Sequence, residues 1–146
     1  MTTIANAAVT AMVDALKRAP AVATHVDRVR LRPVAQNVSQ AIAVRAVESE
    51  PTEDVALPGY PVAWLTTITV ECYAKNSANT TPDLAVDSLV QAAYARLMED
   101  TTLGGAVIAL YPKGASFDFD ADGEQTVCVS LVFRSLQRSS AGLIVS

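Results

Sequence analysis

Residues 62–74 read VAWLTTITVECYA, and this stretch is the clearest strand in the chain. β-branched and aromatic residues dominate it, which is typical of strands. Side chains alternate between the two faces of a strand. One face therefore carries Trp64, Thr66, Ile68, Val70 and Cys72. The other face carries Leu65, Thr67, Thr69, Glu71 and Tyr73.

Two helices are predicted from apolar residues that recur every three or four positions. The clearer one covers residues 82–99, with Thr81 as N-cap, Pro82 at the first helical position and a break at Gly104 and Gly105. Its buried stripe is Val86, Leu89, Ala93 and Leu97. The other covers residues 3–19, with Thr2 or Thr3 as N-cap, and stops at Pro20. Its stripe is Ile4, Ala8, Ala11, Met12, Ala15 and Leu16.

Five further strands complete the prediction, at residues 24–32, 38–47, 106–111, 115–119 and 125–135. The element order is then α-β-β-β-α-β-β-β. Runs of consecutive strands favour an α+β fold with an antiparallel or mixed sheet and both helices on one face. A chain of 146 residues suits a single domain, and 51% hydrophobic with 18% charged residues is a globular balance.

Acidic residues gather in two segments that we expect to be solvated loops. Residues 48–61 (ESEPTEDVALPGYP) hold Glu48, Glu50, Glu53 and Asp54. Residues 118–124 are expected to form a hairpin tip that carries Asp118, Asp120 and Asp122. Residues 137–146 are expected to form a flexible tail. All three segments are candidates for contacts with partner proteins.

Arg28, Arg30 and Arg32 alternate along the predicted strand 24–32 and would lie in one row about 7 Å apart. Guanidinium groups in such a row can bind carboxylates of a neighbouring chain or DNA phosphates. A plain solvated face remains an equal alternative. Stacking aromatic residues do not interleave with the row, which argues against single-strand binding.

Motifs for enzyme chemistry are weak in this sequence. Residues 118–123 match the opening of a calcium loop, but the position of the expected closing carboxylate is Val129. His25, the one histidine, has no identifiable nucleophile beside it. Cys72 and Cys128 lack metal-ligand spacing and suit a reducing cytoplasm. We expect no catalytic residue, metal or cofactor, and neither export nor membrane insertion.

The stretch from Asp83 to Gly105 resembles the second helix of tail terminator proteins of long-tailed phages, the minor tail protein U family. The preceding Val70–Ala74 (VECYA) and the following Asp100–Gly105 (DTTLGG) fill the places of that family's strand ending and helix exit. The likeness covers most of the chain, and its motifs mark a fold and not a catalytic site.

The resemblance implies a structural role in the virion, at the head-proximal end of the tail. Such proteins assemble in the host cytoplasm as a hexameric ring on the tail tube protein, stop its polymerisation and offer a surface to a head-tail connector or neck protein. DNA only passes through the ring, and no membrane is involved. Two alternatives remain open, another neck or tail-completion protein and a small metal-dependent enzyme.

Overall fold

The computed structural model describes residues 3–23, 25–28, 40–52, 62–75, 81–118 and 126–139. The helices are α1 (Ile4–Lys17) and α2 (Pro82–Met98). The strands are β1 (Val26–Asp27), β2 (Gln40–Pro51), β3 (Val62–Lys75), β4 (Ala109–Asp118) and β5 (Thr126–Ser139). They form one mixed sheet in the order β1-β2-β3-β5-β4, with only the β1–β2 pair parallel. The predicted α+β class is confirmed.

Both helices pack on one face of the sheet and form the core there. The predicted stripe of α2 is buried against β3 and β5, and α1 covers β1 and β2. Cross-strand register places Cys72 beside Ile42 and Val129, and Ile68 beside Phe133. The sheet side chains of this core are Ile42, Val44, Ile68, Val70, Cys72, Val129, Leu131 and Phe133. The opposite face, which we call the open face, carries no helix among the described residues.

Each helix begins at the predicted cap. The Thr3 hydroxyl accepts a hydrogen bond from the backbone N–H of Asn6 at 3.2 Å, which satisfies one of the free donors in the first turn of α1. Thr81 occupies the N-cap position of α2, with Pro82 in the first turn, although its side chain does not bond to the helix backbone. Local sequence therefore determines where both helices start.

The exit of α2 is a tight turn organised by Asp100. Its carboxylate accepts hydrogen bonds from the backbone N–H groups of Thr102 (3.0 Å) and Gly104 (2.9 Å) and from the Thr102 hydroxyl (2.6 Å). The hydrogen bond from the Thr102 side chain has the largest effect in lowering the pKa of Asp100, and the two backbone N–H groups lower it further. Leu103, Gly104 and Gly105 then have φ values of 51°, 70° and 91°. The segment DTTLGG is therefore a structural turn.

Replacing Gly105 with alanine should destabilise the protein by about 1–2 kcal/mol, because a left-handed φ penalises any residue with a Cβ. Nothing lies within 4 Å of a Cβ at that position, so the penalty comes from the backbone alone. Gly114→Ala is the matched control, since its Cβ also meets open space and its φ is not positive. Urea unfolding of both variants checks this. Equal losses would contradict the backbone explanation.

β2 continues four residues beyond its predicted end. Residues 48–51 of the predicted loop 48–61 pair with β3, Glu48 opposite Thr67 and Pro51 opposite Trp64. A register shift between Ala46 and Glu48 lets the strand continue through a bulge at Val47, which also explains its imperfect alternation. The loop prediction was wrong for residues 48–51, because pairing with β3 holds them in a strand despite their acidic composition.

The two predicted strands 106–111 and 115–119 are one strand, β4. Pro112 and Gly114 lie between the two predicted ranges, but β4 is an edge strand among the described residues, where a missing N–H costs little. A register shift between the two residues forms a bulge at Lys113 and keeps the pairing with β5. Residues 106–108 belong to the turn after α2.

Two further boundaries differ from the prediction. β1 comprises only Val26 and Asp27, so Arg28 lies beyond the strand; Arg30 and Arg32 fall outside the described residues. β5 extends to Ser139, and Gln137 and Ser139 are buried. Residues 137–139 of the predicted flexible tail are therefore part of the sheet, whereas residues 140–146 lie outside the described part.

Candidate assembly surface

The open face has two different ends. At one end, Ala41, Ala43, Tyr73 and Cys128 form a small buried cluster. Tyr73 donates a hydrogen bond to Glu71 at 2.5 Å, and Glu71 also accepts one from Arg45 at 2.9 Å. At the other end, Leu65, Arg134 and Leu136 are only half-buried. The second end therefore offers more accessible surface to a partner.

Glu48 and Glu50 lie on the β2 side of that accessible end. Both are exposed, and both are on the open face because they pair with Thr67 and Leu65 of β3. Val47 at the neighbouring bulge is 52% exposed. We call Val47, Glu48 and Glu50 the acidic edge. The sequence placed the two carboxylates in a loop, whereas a rigid strand presents them.

The β4 side of the same end is basic. Tyr111, Lys113 and Arg134 line one shallow depression of about 580 Å³, together with Thr52, Leu65, Pro112 and Leu136. Tyr111 is 47% exposed, and neither basic group has an ion-pair partner among the described residues. We call Tyr111, Lys113 and Arg134 the basic edge. Sequence reasoning missed it, although alternation with the buried Phe133 already placed Arg134 on the other face.

Arg28 is bound within its own subunit. Its guanidinium group donates hydrogen bonds to the Thr10 hydroxyl and to the Asn6 side-chain oxygen, both on α1. The predicted row of three arginines on a strand face is therefore wrong for Arg28. Arg30 and Arg32 lie outside the described residues. The contact with α1 favours an intramolecular role for Arg28 over a partner contact.

Glu48 and Asp118, one from each of the two predicted acidic loops, lie far apart in the structure. Glu48 pairs with Thr67, whereas Asp118 lies at the opposite end, in register with Cys128 and through it with Tyr73. Six residues of β3 separate these levels, which corresponds to roughly 20 Å. Glu53, Asp54, Asp120 and Asp122 lie outside the described residues. Glu48 and Asp118 thus cannot form one acid/base pair.

Both cysteines are buried and free. Burial, reinforced by the neighbouring Cys128, raises the pKa of the Cys72 thiol to about 12. Burial also raises the pKa of Cys128. A thiol reacts as its thiolate, so these environments disfavour nucleophilic chemistry. Both residues serve as small core side chains.

A second depression, of about 530 Å³, lies between the C-terminal ends of the helices. Both of its arginines are already engaged. Arg96 donates hydrogen bonds to the carbonyl oxygens of Ala15 (2.9 Å), Arg18 (2.8 Å) and Pro20 (2.6 Å), and Arg18 pairs with Glu99. These bonds tie the end of α1 to α2, so the depression is a structural junction.

Among residues 3–23, 25–28, 40–52, 62–75, 81–118 and 126–139, no group of three or more His, Cys, Asp and Glu side chains could hold a metal ion. In the same ranges, no helix has the length and apolar character needed to cross a membrane.

Comparisons with known proteins point to a fold. No protein-family model matches the chain. No curated protein matches it either. Among solved structures, the chain is similar to a chain in the virion of a native gene transfer agent particle, with a TM-score of 0.56. The match covers 95% of this chain and 100% of that chain at 13% sequence identity. This protein therefore shares, over nearly its whole length, the fold of a chain from a gene transfer agent virion.

Proposed function

We propose that this protein is a structural subunit of a phage-like virion and acts as its tail terminator. In this role, six copies form a ring on the last ring of the tail tube protein. The ring stops polymerisation of the tube and presents its other side to a head-tail connector or neck protein. DNA passes through the ring, and the site of action is the head-proximal end of the tail, after assembly in the host cytoplasm.

The observation that carries the structural role is the full-length fold match to a virion chain. It covers 95% of this chain and 100% of that chain, so the two share one architecture over nearly their whole length. Fold likeness alone does not establish function. The fold match supports the proposed role because the sequence features that resemble tail terminators are also the features that build this fold.

Those features are the strand ending Val70–Ala74, helix α2 and the turn from Asp100 to Gly105. In the structure, Val70, Cys72 and Ala74 lie in the core, and α2 buries its stripe against the same strands. Asp100 and the two glycines shape the turn that leads from α2 to the edge strand β4. The resemblance therefore rests on a packed unit that positions β4.

The terminator role predicts a specific defect when the gene is removed from the phage or element that encodes this protein. Tubes should lose their fixed length, and heads should not attach, because nothing stops tube polymerisation or offers a joining surface. Electron microscopy of lysates measures both effects, with expression of the wild-type chain in trans as the control. Tubes of normal length with heads attached would refute the proposal.

A neck or tail-completion protein that contacts only the head side is the second candidate, because the matched chain belongs to a whole virion. Crosslinking of assembled particles separates the two roles. A terminator should crosslink to the tube protein as well as to the head-side partner. Crosslinks to head-side proteins alone would favour the second candidate.

A further inference from the structure

We propose that the acidic edge of one copy binds the basic edge of the next copy, and that this contact closes the ring. The inference rests on the proposed function and assigns its subunit interface to named residues. The acidic edge is Val47, Glu48 and Glu50 on β2, and the basic edge is Tyr111, Lys113 and Arg134 on β4 and β5.

The two edges are complementary in charge and similar in apolar content. Two exposed carboxylates stand on one side of the sheet, and an ammonium and a guanidinium stand on the other. Each set includes one exposed apolar or aromatic side chain, Val47 at 52% and Tyr111 at 47%. Opposite charges around a small apolar contact favour association and define its orientation.

These charges do not pair with each other within one copy, among the residues that the structure describes. Glu48 and Arg134 are two strands apart, which is roughly 10 Å, and Lys113 is one strand further. Within the described residues, none of the charged side chains of the two edges, Glu48, Glu50, Lys113 and Arg134, forms an ion pair. They are available for a neighbouring copy.

The register places the two edges at the same level. Glu48 pairs with Thr67, Thr67 with Arg134, and Arg134 with Tyr111, so these four residues form one row across the sheet. Copies in a closed ring are related by rotation without translation along the axis. When the strands run nearly along that axis, the acidic end of the row in one copy meets the basic end in the next.

Strand positions agree with this arrangement. Among the described strands, β4 is the last on its side of the sheet. On the other side, β1 pairs only with Ile42 and Ala43, so no described strand lies beside residues 44–51 of β2. The two surfaces are also different from each other, which makes the contact head-to-tail. A head-to-tail contact generates a ring when its rotation closes, and it does not generate a two-fold dimer.

Charge reversal on each edge tests the interface. Glu48→Lys with Glu50→Lys makes both edges positive, and Lys113→Glu with Arg134→Glu makes both negative. Each double variant should remain folded, as measured by circular dichroism. The protein concentration needed to form rings on tube ends should rise by about tenfold or more, because like charges then face each other. Native mass spectrometry and capping of purified tubes, scored by electron microscopy, provide the readouts.

Mixing the two double variants should restore rings, since each positive copy can lie between two negative copies. Such rings must contain equal numbers of both variants. The chain with all four substitutions should also recover assembly. Asp14→Lys with Asp87→Lys is the matched control for Glu48→Lys with Glu50→Lys, because both replace two exposed carboxylates with lysines and the control does so on the helices. It should assemble like the wild type.

The outcomes distinguish this interface from the function on which it rests. A wild type that caps tubes, with charge-reversed variants that cap equally well, overturns the interface and leaves the terminator role intact. Variants that fail to cap and are not restored by mixing also overturn it. A wild type that neither caps tubes nor forms rings on them refutes the terminator role and the interface together.

Discussion

Phe133→Ala should lower the free energy of unfolding by about 3–5 kcal/mol, the range for removing a fully buried aromatic side chain. Phe133 has no exposed surface. It lies on β5 between Ile68 of β3 and Pro112 of β4, and its ring stacks on Tyr94 of α2 with centroids 6.2 Å apart. Its removal leaves a cavity between α2 and the middle of the sheet. Urea unfolding followed by circular dichroism measures the loss.

Phe117→Ala is the matched control, because the same chemical change is made at a side chain that is 64% exposed. Its cost should stay below about 0.5 kcal/mol, as for most surface substitutions. Phe133→Leu should fall between the two, since leucine fills part of the volume. Similar losses for Phe133→Ala and Phe117→Ala would show that α2 does not pack on the sheet as described.

Arg96→Met should destabilise the protein by about 2–4 kcal/mol. A hydrogen bond from a charged donor contributes about 1.5–3 kcal/mol, and the three bonds of Arg96 are not additive because one side chain makes them all. Arg96 is 11% exposed and binds the carbonyl oxygens of Ala15, Arg18 and Pro20 at the end of α1. Methionine keeps much of the aliphatic stem but leaves those carbonyls without the donor. Thermal and urea unfolding should both report the loss.

The nearby Arg18→Met gives the comparison. Arg18 pairs with Glu99, but both side chains are 57% exposed, and solvent-exposed ion pairs contribute at most about 1 kcal/mol. Lysine at position 96 should recover only part of the stability, since one ammonium cannot reproduce the planar fork of donors. If Arg96→Met cost no more than Arg18→Met, the junction between the helices would not depend on Arg96.

These two residues connect stability to the proposed assembly. Phe133 couples α2 to the sheet, and Arg96 couples α1 to α2. Together they keep the helix layer on one face, which leaves the other face and the ends of β2 and β4 accessible. A rigid sheet holds the acidic and basic edges at constant separation. Ring closure requires such rigidity, because small angular errors accumulate around six copies.

Periodicity alone predicted the helices and the central strand correctly. The stripe Val86, Leu89, Ala93 and Leu97 is buried, and so are Ile68, Val70 and Cys72 on the predicted face of β3. The helix starts at Thr3 and Thr81 were also predictable, since capping is a local property. In each case the residues that decide the structure are close together in the sequence.

Candidate contact residues were less predictable. Glu48 and Glu50 were recognised as a charged group but assigned to a loop, and Arg28 was assigned to a strand face although it binds Thr10 and Asn6. The basic edge was missed altogether. Its members, Tyr111, Lys113 and Arg134, are separated in the sequence, and only the pairing of β4 with β5 brings them together.

The sequence by itself determined the α+β class, the apolar face of each main element and the helix starts, because these follow from side-chain period and local capping. Only the tertiary structure decided that residues 48–51 continue β2 and that β4 runs through Pro112 and Gly114. Pairing with distant strands supplies the hydrogen bonds that stabilise both segments, and bulges absorb the residues that break the alternation. That same register places Glu48 and Arg134 in one row across the sheet.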